Sequence, residues 1–200
     1  MLQVDNSPYA LKLLHDWQEP ERYFACHASP HSMRLRAALC CLDSLTLHLQ
    51  QSAKIPIQVR IEKQYRLPNG SAGSNVWWSG QRLLPVSMPI LSRTAWLLQE
   101  DRELILAYSE LSLQNLSDDL CTAIEEGEEP LGLLFHERSG VVERTDLQIA
   151  QANVPELALR NQEDLQTAYW CRRSIFQVNS QFRARIVELF LTGCCDEALD

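Results

Sequence analysis

Two charged residues of opposite sign each interrupt an apolar row of the sequence. The segment 182–191, FRARIVELFL, alternates as a β-strand does, and the other residues on the strand face that carries Glu188 are apolar. Arg93 interrupts the apolar row of the segment 89–100 in the same way. Because an unpaired buried charge costs several kcal/mol, each group must be paired or must act on a ligand, or, for the carboxylate, must be protonated. If both faces line one pocket, Arg93 would bind a carboxylate while Glu188 would handle a hydroxyl group or a proton.

Structural explanations of the same two residues stay open at this point. Glu188 would reach water if its strand lay at a sheet edge, or it would take part in an ion pair that only stabilises the fold. Arg93 and Glu188 would also satisfy each other as one buried salt bridge that fixes the packing. The strand pattern alone does not separate the functional interpretation from the structural ones.

The charge balance excludes some classes of partner. The 200 residues carry a net charge of −8 without a basic tract, which argues against nucleic acid and against anionic membrane surfaces as partners. Arginine greatly outnumbers lysine, and the planar guanidinium is the better donor to a carboxylate. A local arginine site would therefore bind a small anion inside an acidic protein.

Length and the lack of targeting signals predict one cytoplasmic domain. The first thirty residues lack a basic start followed by an apolar run, and no stretch approaches the length of a transmembrane helix. The seven cysteines are expected to be mostly reduced. We expect a monomer with a single domain over 1–200, a helical N-terminal arm over 1–30 and a loose tail over 193–200.

Periodicity predicts the elements that must position Arg93 and Glu188. Helical spacing is found at 7–17, at 33–51 with a break at Asp43-Ser44 that would cap a second helix, at 113–126 and at 133–137, while 19–32 is typical of a connection. Strand alternation is found at 55–67, 89–100, 102–111, 141–152, 167–178 and 182–191, with a loop at 68–79. About six strands linked mostly as hairpins predict an α+β fold, with one mostly antiparallel sheet and helices packed on one face.

Several common site motifs are absent from the sequence. It contains no glycine-rich phosphate loop, no dinucleotide-binding fingerprint and no C-x-x-C pair. The adjacent cysteines Cys40-Cys41 and Cys194-Cys195 do not favour a closed zinc site, because neighbouring side chains on a helix point in different directions. We therefore expect no metal.

An ordered set of short motifs lies between residues 34 and 192. The motifs are DSLT at 43–46, the strand that contains Arg93, PLGLLF at 130–135, WCRRS at 170–174 and ELFL at 188–191. Together they resemble the chorismate pyruvate-lyase family, whose members carry D-S-M-T, PLG-x-x-LF, W-x-RRS and ELFLP. The chain departs from this pattern at Thr192, which replaces the closing proline, and at 107–110, where some members have an arginine.

The resemblance implies a lyase that converts chorismate to 4-hydroxybenzoate and pyruvate, which feeds quinone biosynthesis and requires no metal or organic cofactor. It implies that Arg93 and Glu188 form the catalytic pair, with Arg93 on the ring carboxylate and Glu188 on the hydroxyl group at the far end of the ring. Leu131, followed by Gly132 at the start of a helix, would offer its backbone N–H to the carboxylate. Leu45 would pack on the ring. Whether Glu188 takes a proton or only orients the hydroxyl group stays open.

A non-catalytic alternative comes from a related fold, which serves as the effector-sensing domain of some bacterial repressors. The chain would then bind an aromatic acid without converting it. The remaining arginines have modest expected roles. Arg172 and Arg173 alternate in facing, so only one of them can point at the pocket, and Arg144 with Glu143 would be a solvated pair near its mouth.

Overall fold

The computed structural model describes residues 9–67, 77–78, 89–139, 141–179 and 181–195. Seven strands form one antiparallel sheet in the order β1-β5-β6-β7-β4-β3-β2. The strands are β1 (Lys12–Leu13), β2 (Gln58–Leu67), β3 (Ile90–Gln99), β4 (Arg102–Ser112), β5 (Val142–Asn153), β6 (Ala168–Val178) and β7 (Gln181–Phe190). The predicted α+β class with a mostly antiparallel sheet is confirmed.

Helices α1 to α5 pack on the face of the sheet that carries Arg93 and Glu188. The helices of the described residues are α1 (Pro20–Cys26), α2 (Met33–Cys40), α3 (Leu45–Ala53), α4 (Asp118–Glu126), α5 (Leu131–Ser139) and the short α6 (Pro155–Arg160). Helix α6 lies on the opposite face, where the guanidinium of Arg160 stacks 4.0 Å from the ring centroid of Trp96. Trp77 and Trp78 are also buried on that opposite face, against Tyr108.

The two hairpins of the sheet meet through its last strand. Strands β3 and β4 form one hairpin and β5 and β6 form another, and β7 pairs with β4 on one side and with β6 on the other. On the face opposite to Glu188, Arg185 of β7 donates two hydrogen bonds to Glu110 of β4, at 2.6 and 2.9 Å. Strand β7 therefore carries a buried charge on each face of the sheet.

The register places Arg93 and Glu188 on one face, two strands apart. Arg93 lies opposite Ser109, which lies opposite Ile186, and Glu188 lies opposite Ala107. By ordinary sheet spacing the two Cα atoms are then about 12 Å apart. The residues of β4 between them, Ala107 and Ser109, have small side chains, so they leave space above the sheet at this point.

The helix predicted at 7–17 is wrong over the described residues. Lys12–Leu13 is instead a two-residue strand, because the outer edge of β5 offers unpaired backbone groups to it. The helix of this region is α1, inside the predicted connection, and it begins at Pro20, a residue whose fixed φ suits the first helical position. Tertiary pairing outweighs the helical spacing of the apolar residues here.

Serine caps mark where helices α2, α3 and α4 begin. Ser44 accepts a hydrogen bond from the Leu47 N–H at 3.4 Å, so the predicted break at Asp43-Ser44 separates α2 from α3. Ser117 caps α4 in the same way, which is why that helix begins five residues later than its predicted start. The loop predicted at 68–79 lies outside the described residues, apart from the two tryptophans. Among the described helices, none has the length and apolarity needed to span a membrane.

Candidate ligand-binding site

A small cavity lies between the sheet and the first turns of α3 and α5. Its volume is about 50 Å³. Its lining is apolar at the centre and charged at two ends. The lining residues are Thr46, Val59, Arg93, Ala95, Leu97, Ala107, Ser109, Pro130, Leu131, Arg144, Ile186 and Glu188. Three of the positions predicted from the sequence, Arg93, Leu131 and Glu188, therefore lie in one cavity.

Arg93 occupies one end of the cavity without a carboxylate partner among the described residues. Its side chain is buried, with 2% of the residue exposed, and its only hydrogen bond there is a long one of 3.5 Å from Nη2 to the Glu129 carbonyl. Nη1 is buried and has no acceptor in that part of the chain. Burial lowers the pKa of Arg93 to about 10, so the group is still charged at neutral pH. A buried cation with an unused donor is the arrangement that an anionic ligand would complete.

Glu188 occupies the other end and is held by two arginines. Its Oε1 accepts a hydrogen bond from Arg144 Nη2 at 3.2 Å, and its Oε2 accepts one from Arg172 Nε at 2.6 Å. Burial acts to raise the pKa of Glu188, but the charges and hydrogen bonds of Arg144 and Arg172 outweigh it, and the pKa is lowered overall. Glu188 is therefore an ionised carboxylate, and the structural hypothesis of a single Arg93–Glu188 bridge is wrong.

The expectation that Arg144 forms a solvated pair with Glu143 is wrong. Arg144 is buried, and besides Glu188 it bonds the Ser174 hydroxyl at 2.9 Å and the Asp43 carbonyl at 3.2 Å. Glu143 is exposed. Strand alternation along β5 predicts the burial of Arg144, because it puts Arg144 on the same face as the buried Val142.

Arg172 and Arg173 point to opposite faces, as their adjacency predicts. Arg172 is fully buried and donates from Nη1 to the Ala38 and Cys41 carbonyls, at 2.7 and 3.0 Å, so it also joins the end of α2 to the site. On the other face, the Nε and Nη2 atoms of Arg173 bond Gln148 Oε1 and its guanidinium lies over the ring of Trp17. Only Arg172 belongs to the candidate site.

The predicted residues Gly132 and Leu45 lie beside the cavity and are not part of its lining. Helix α5 begins at Leu131, and a Cβ atom on Gly132 would lie 2.6 Å from the Ser44 hydroxyl oxygen, so glycine permits the close approach of α5 to the start of α3. Leu45 is buried next to Thr46, which does line the cavity. The N–H groups of Leu131 and Gly132 begin α5 and have no acceptor within their own helix, so they are available to a carboxylate. The N–H of Leu133 already donates to the Pro130 carbonyl.

The charges around the cavity do not balance. Three buried guanidiniums, those of Arg93, Arg144 and Arg172, face one carboxylate, that of Glu188. The excess of two positive charges among these four residues favours an anionic ligand. No cluster of three histidine, cysteine or acidic side chains suited to a metal ion is found in the part of the chain that the structure describes.

Three solved structures match the chain over about three quarters of its length. The effector domain of PhnF from Mycobacterium smegmatis matches with a TM-score of 0.51 and 13% identity, over 75% of this chain and 89% of that chain. A structure of PhnF from the same organism matches with a TM-score of 0.50 and 13% identity, over 76% of this chain and 65% of that chain. A GntR-family transcriptional regulator from Enterococcus faecalis matches with a TM-score of 0.45 and 12% identity, over 71% of this chain and 99% of that chain.

These structural matches establish the fold and nothing finer. No protein-family model matches the chain, and no curated protein matches its sequence. The fold of this chain is thus that of the PhnF effector domain, an α+β arrangement with one antiparallel sheet.

Proposed function

We propose that the chain binds a small aromatic carboxylic acid in the cavity between Arg93 and Glu188. The observation that carries the proposal is the buried guanidinium of Arg93, whose Nη1 has no acceptor among the described residues. The ligand carboxylate would accept hydrogen bonds from Arg93 and from the Leu131 N–H at the start of α5. The charge excess around Glu188 supports the same class of ligand.

The apolar centre of the cavity supports a flat ring between the two charged ends. Ala95, Ala107 and Ser109 leave room above the sheet, while Val59 and Ile186 supply apolar walls. A benzene-sized ligand needs a cavity on the order of 150 Å³, which exceeds the volume in this structure. We therefore expect α5 to move outward when the ring enters, with the Gly132–Ser44 contact as the place where the helices separate.

In the first form of the proposal, the chain binds the aromatic acid and does not convert it. Among the described residues, Glu188 is the one carboxylate that lines the cavity, and its lowered pKa makes it a weak proton acceptor. A purely binding role agrees with the match to the effector domain of PhnF.

A lyase that acts on chorismate is the second candidate. The specific observation in its favour is that Arg93, Leu131 and Glu188, the positions that the sequence resemblance implies as ligand contacts, line one cavity. In that case the site would position the ring and its leaving group, and aromatisation would supply the driving force. The product, 4-hydroxybenzoate, belongs to the ligand class of the first candidate.

Titration calorimetry with benzoate and 4-hydroxybenzoate tests the binding proposal. We expect both acids to bind the unmodified protein, and Arg93→Met to weaken binding by about 100-fold or more, because a hydrogen-bonded charge pair is lost. Arg173→Met is the matched control, since Arg173 is equally buried but lies on the opposite face of the sheet. The proposal fails if neither acid binds, or if both variants lose affinity equally.

A product assay separates the two candidates. The protein is incubated with chorismate, and 4-hydroxybenzoate and pyruvate are followed together by chromatography. Equimolar formation of both, lost in Glu188→Gln, would establish the lyase. Absence of both, with 4-hydroxybenzoate still bound in the calorimeter, would leave the binding protein.

A further inference from the structure

We propose that Cys194 and Cys195 form a dithiol that hydrogen peroxide oxidises, reversibly, to a disulfide between the two neighbouring residues. The pair lies outside the ligand cavity, in the turn that follows β7. The observation that carries the proposal is the contact between the two Sγ atoms, which are 3.2 Å apart.

Backbone contacts on both sides of Cys194 hold the two thiols in place. Gly193 has a φ of +74°, a conformation that glycine adopts without strain, and its carbonyl accepts a hydrogen bond from Arg102 of β4 at 2.5 Å. The Cys195 carbonyl accepts a hydrogen bond at 2.7 Å from the hydroxyl of Ser32, the residue that caps α2. The turn is therefore tied to two other elements of the fold.

Cys194 is the thiol that a small oxidant reaches first. A cleft of about 510 Å³ opens at the pair, and both cysteines line it. Cys194 is partly exposed, whereas only 8% of Cys195 is exposed. Redox-active cysteines are typically accessible thiols next to a second, resolving thiol. The attack on the peroxide is therefore assigned to Cys194 and the second step to Cys195.

Positive charge prevails among the described side chains around this cleft. Arg34 and Arg102 line it together with one carboxylate, that of Glu100. His48 also lines it, and burial lowers the pKa of its imidazole, so it adds little charge at neutral pH. Because the thiolate is the nucleophilic form of cysteine, the cationic neighbours favour the reaction.

The reaction consumes one peroxide and forms one sulfur–sulfur bond. The Cys194 thiolate attacks one oxygen of hydrogen peroxide and the O–O bond breaks, which gives a sulfenic acid and, with the proton of the thiol, one water. The Cys195 thiolate then attacks that sulfur atom and displaces hydroxide, which takes the Cys195 proton and leaves as a second water. Two thiols are oxidised and the peroxide is reduced.

Strain in the product makes the step reversible. Neighbouring Cα atoms are about 3.8 Å apart across a trans peptide, whereas an unstrained disulfide spans about 4.4 Å or more between its Cα atoms. Strained disulfides are reduced more easily than relaxed ones, so a small thiol restores the dithiol.

The chain contains a matched control in its other adjacent pair, Cys40-Cys41. Cys40 is the last residue of α2, and the Cys41 thiol donates to the Asp43 carbonyl at 3.7 Å. Burial raises the pKa of Cys40, which disfavours its thiolate. We expect this pair to react slowly with peroxide.

Thiol labelling after peroxide treatment tests the proposal. The reduced, folded protein is treated with hydrogen peroxide, its remaining thiols are blocked with N-ethylmaleimide, and its tryptic peptides are weighed by mass spectrometry. Trypsin gives the peptides 37–54 and 186–200, each of which contains one adjacent cysteine pair and no other cysteine. We expect 186–200 to lose two hydrogen atoms and to stop taking maleimide at least about 10-fold faster than 37–54. Dithiothreitol should restore its labelling.

Two variants and an unfolded control separate the steps. Cys195→Ser should stop at the sulfenic acid of Cys194, which dimedone traps, and Cys194→Ser should react about 10-fold more slowly than the unmodified protein. In urea the two pairs should oxidise at similar rates, because the fold creates the difference between them.

Three results would overturn the proposal. The first is a pair at 194–195 that stays fully labelled, or that oxidises no faster than Cys40-Cys41 in the folded protein. The second is a product that dithiothreitol does not reduce, or a disulfide that joins two chains. The third is a difference between the two pairs that persists unchanged in urea, since it would then belong to the local sequence and not to the structure.

Discussion

Replacing Arg93 with methionine should make the ligand-free protein more stable. The Arg93 guanidinium is buried, is bonded only through one long hydrogen bond, and has no carboxylate partner among the described residues. Such a group costs solvation free energy without the compensation that a buried ion pair would give. Methionine has a similar length and carries no charge, so it removes that cost while it keeps the cavity wall in place.

The size of the effect follows from the pKa of Arg93. Burial lowers it from 12.5 to about 10, which corresponds to about 3 kcal/mol of lost solvation. Part of that gain is offset by imperfect packing of the new side chain, so we expect about 2 kcal/mol in the free energy of unfolding. For a chain of 200 residues this raises the melting temperature by about 4 to 8 °C.

With a ligand bound, the unmodified protein should be more stable than Arg93→Met, which is the reverse of the order expected without a ligand. With 4-hydroxybenzoate at about 1,000 times its Kd, the unmodified protein gains about 4 kcal/mol, while Arg93→Met binds too weakly to gain. Calorimetric melts of both proteins, each with and without the acid, measure all four values. A variant that melts below the unmodified protein without ligand would refute the reasoning, because it would show that Arg93 stabilises the fold. Burial lowers the pKa of Arg173 to about 10 as well, but Arg173→Met also loses the hydrogen bonds to Gln148 and Trp77, which offset the gain, so its melting temperature should rise less than that of Arg93→Met.

Two further predictions concern the groups around the cavity. Glu188→Gln leaves two buried guanidiniums without a carboxylate and should lower the free energy of unfolding by about 3 to 5 kcal/mol. The control is Glu103→Gln, which also removes a carboxylate bonded to two arginines, but on the surface, and it should lower the free energy of unfolding by about 1 kcal/mol or less. Urea titrations of both variants measure these values. Because the pKa of Glu188 is lowered in the folded protein, the stability that the ionised carboxylate contributes is complete above about pH 4.3, the pKa of an unfolded chain, and is lost as the pH falls through the folded value. The free energies of unfolding of Glu188→Gln and of the unmodified protein should therefore become equal in acid. Gly132→Ala brings a Cβ atom against the Ser44 hydroxyl, a clash that outward movement of α5 relieves, so it should lower the free energy of unfolding of the ligand-free protein by about 1 to 3 kcal/mol and tighten benzoate binding by up to about 10-fold; unchanged affinity in the calorimeter would contradict this role of the helix contact.

Local patterns were sufficient to assign Arg93 and Glu188 each to the apolar face of its own strand, whereas the register shows that the two share one face of the sheet. Strand alternation has a period of two, so a single charge in an apolar row can be assigned to a face without knowledge of the rest of the fold. The hairpin of β3 and β4 and the cap at Ser44 are equally local. These parts of the prediction depend on residues that are close together in the chain.

The partners of Glu188 could not be predicted, because alternation fixes the face and not the order of the strands. Strand β4 lies between the strands of Arg93 and Glu188, whereas Arg172 on β6 lies directly opposite Glu188. Arg144 reaches the site past a bulge between Thr145 and Gln148, which no regular pattern predicts. The short strand β1 was missed for a similar reason, since its pairing partner lies 140 residues away.

The position of β7 in the sheet has a consequence for how the chain folds. The strand is the last in sequence, yet it joins the two hairpins, so the sheet becomes continuous only when residues 181–190 have been added. A slip of one residue would move Glu188 to the face of Glu110 and would turn Arg185 toward the three other arginines. Like charges would then meet on both faces, which penalises a slip of one residue. The buried charges therefore favour the observed register of β7 over its one-residue alternatives.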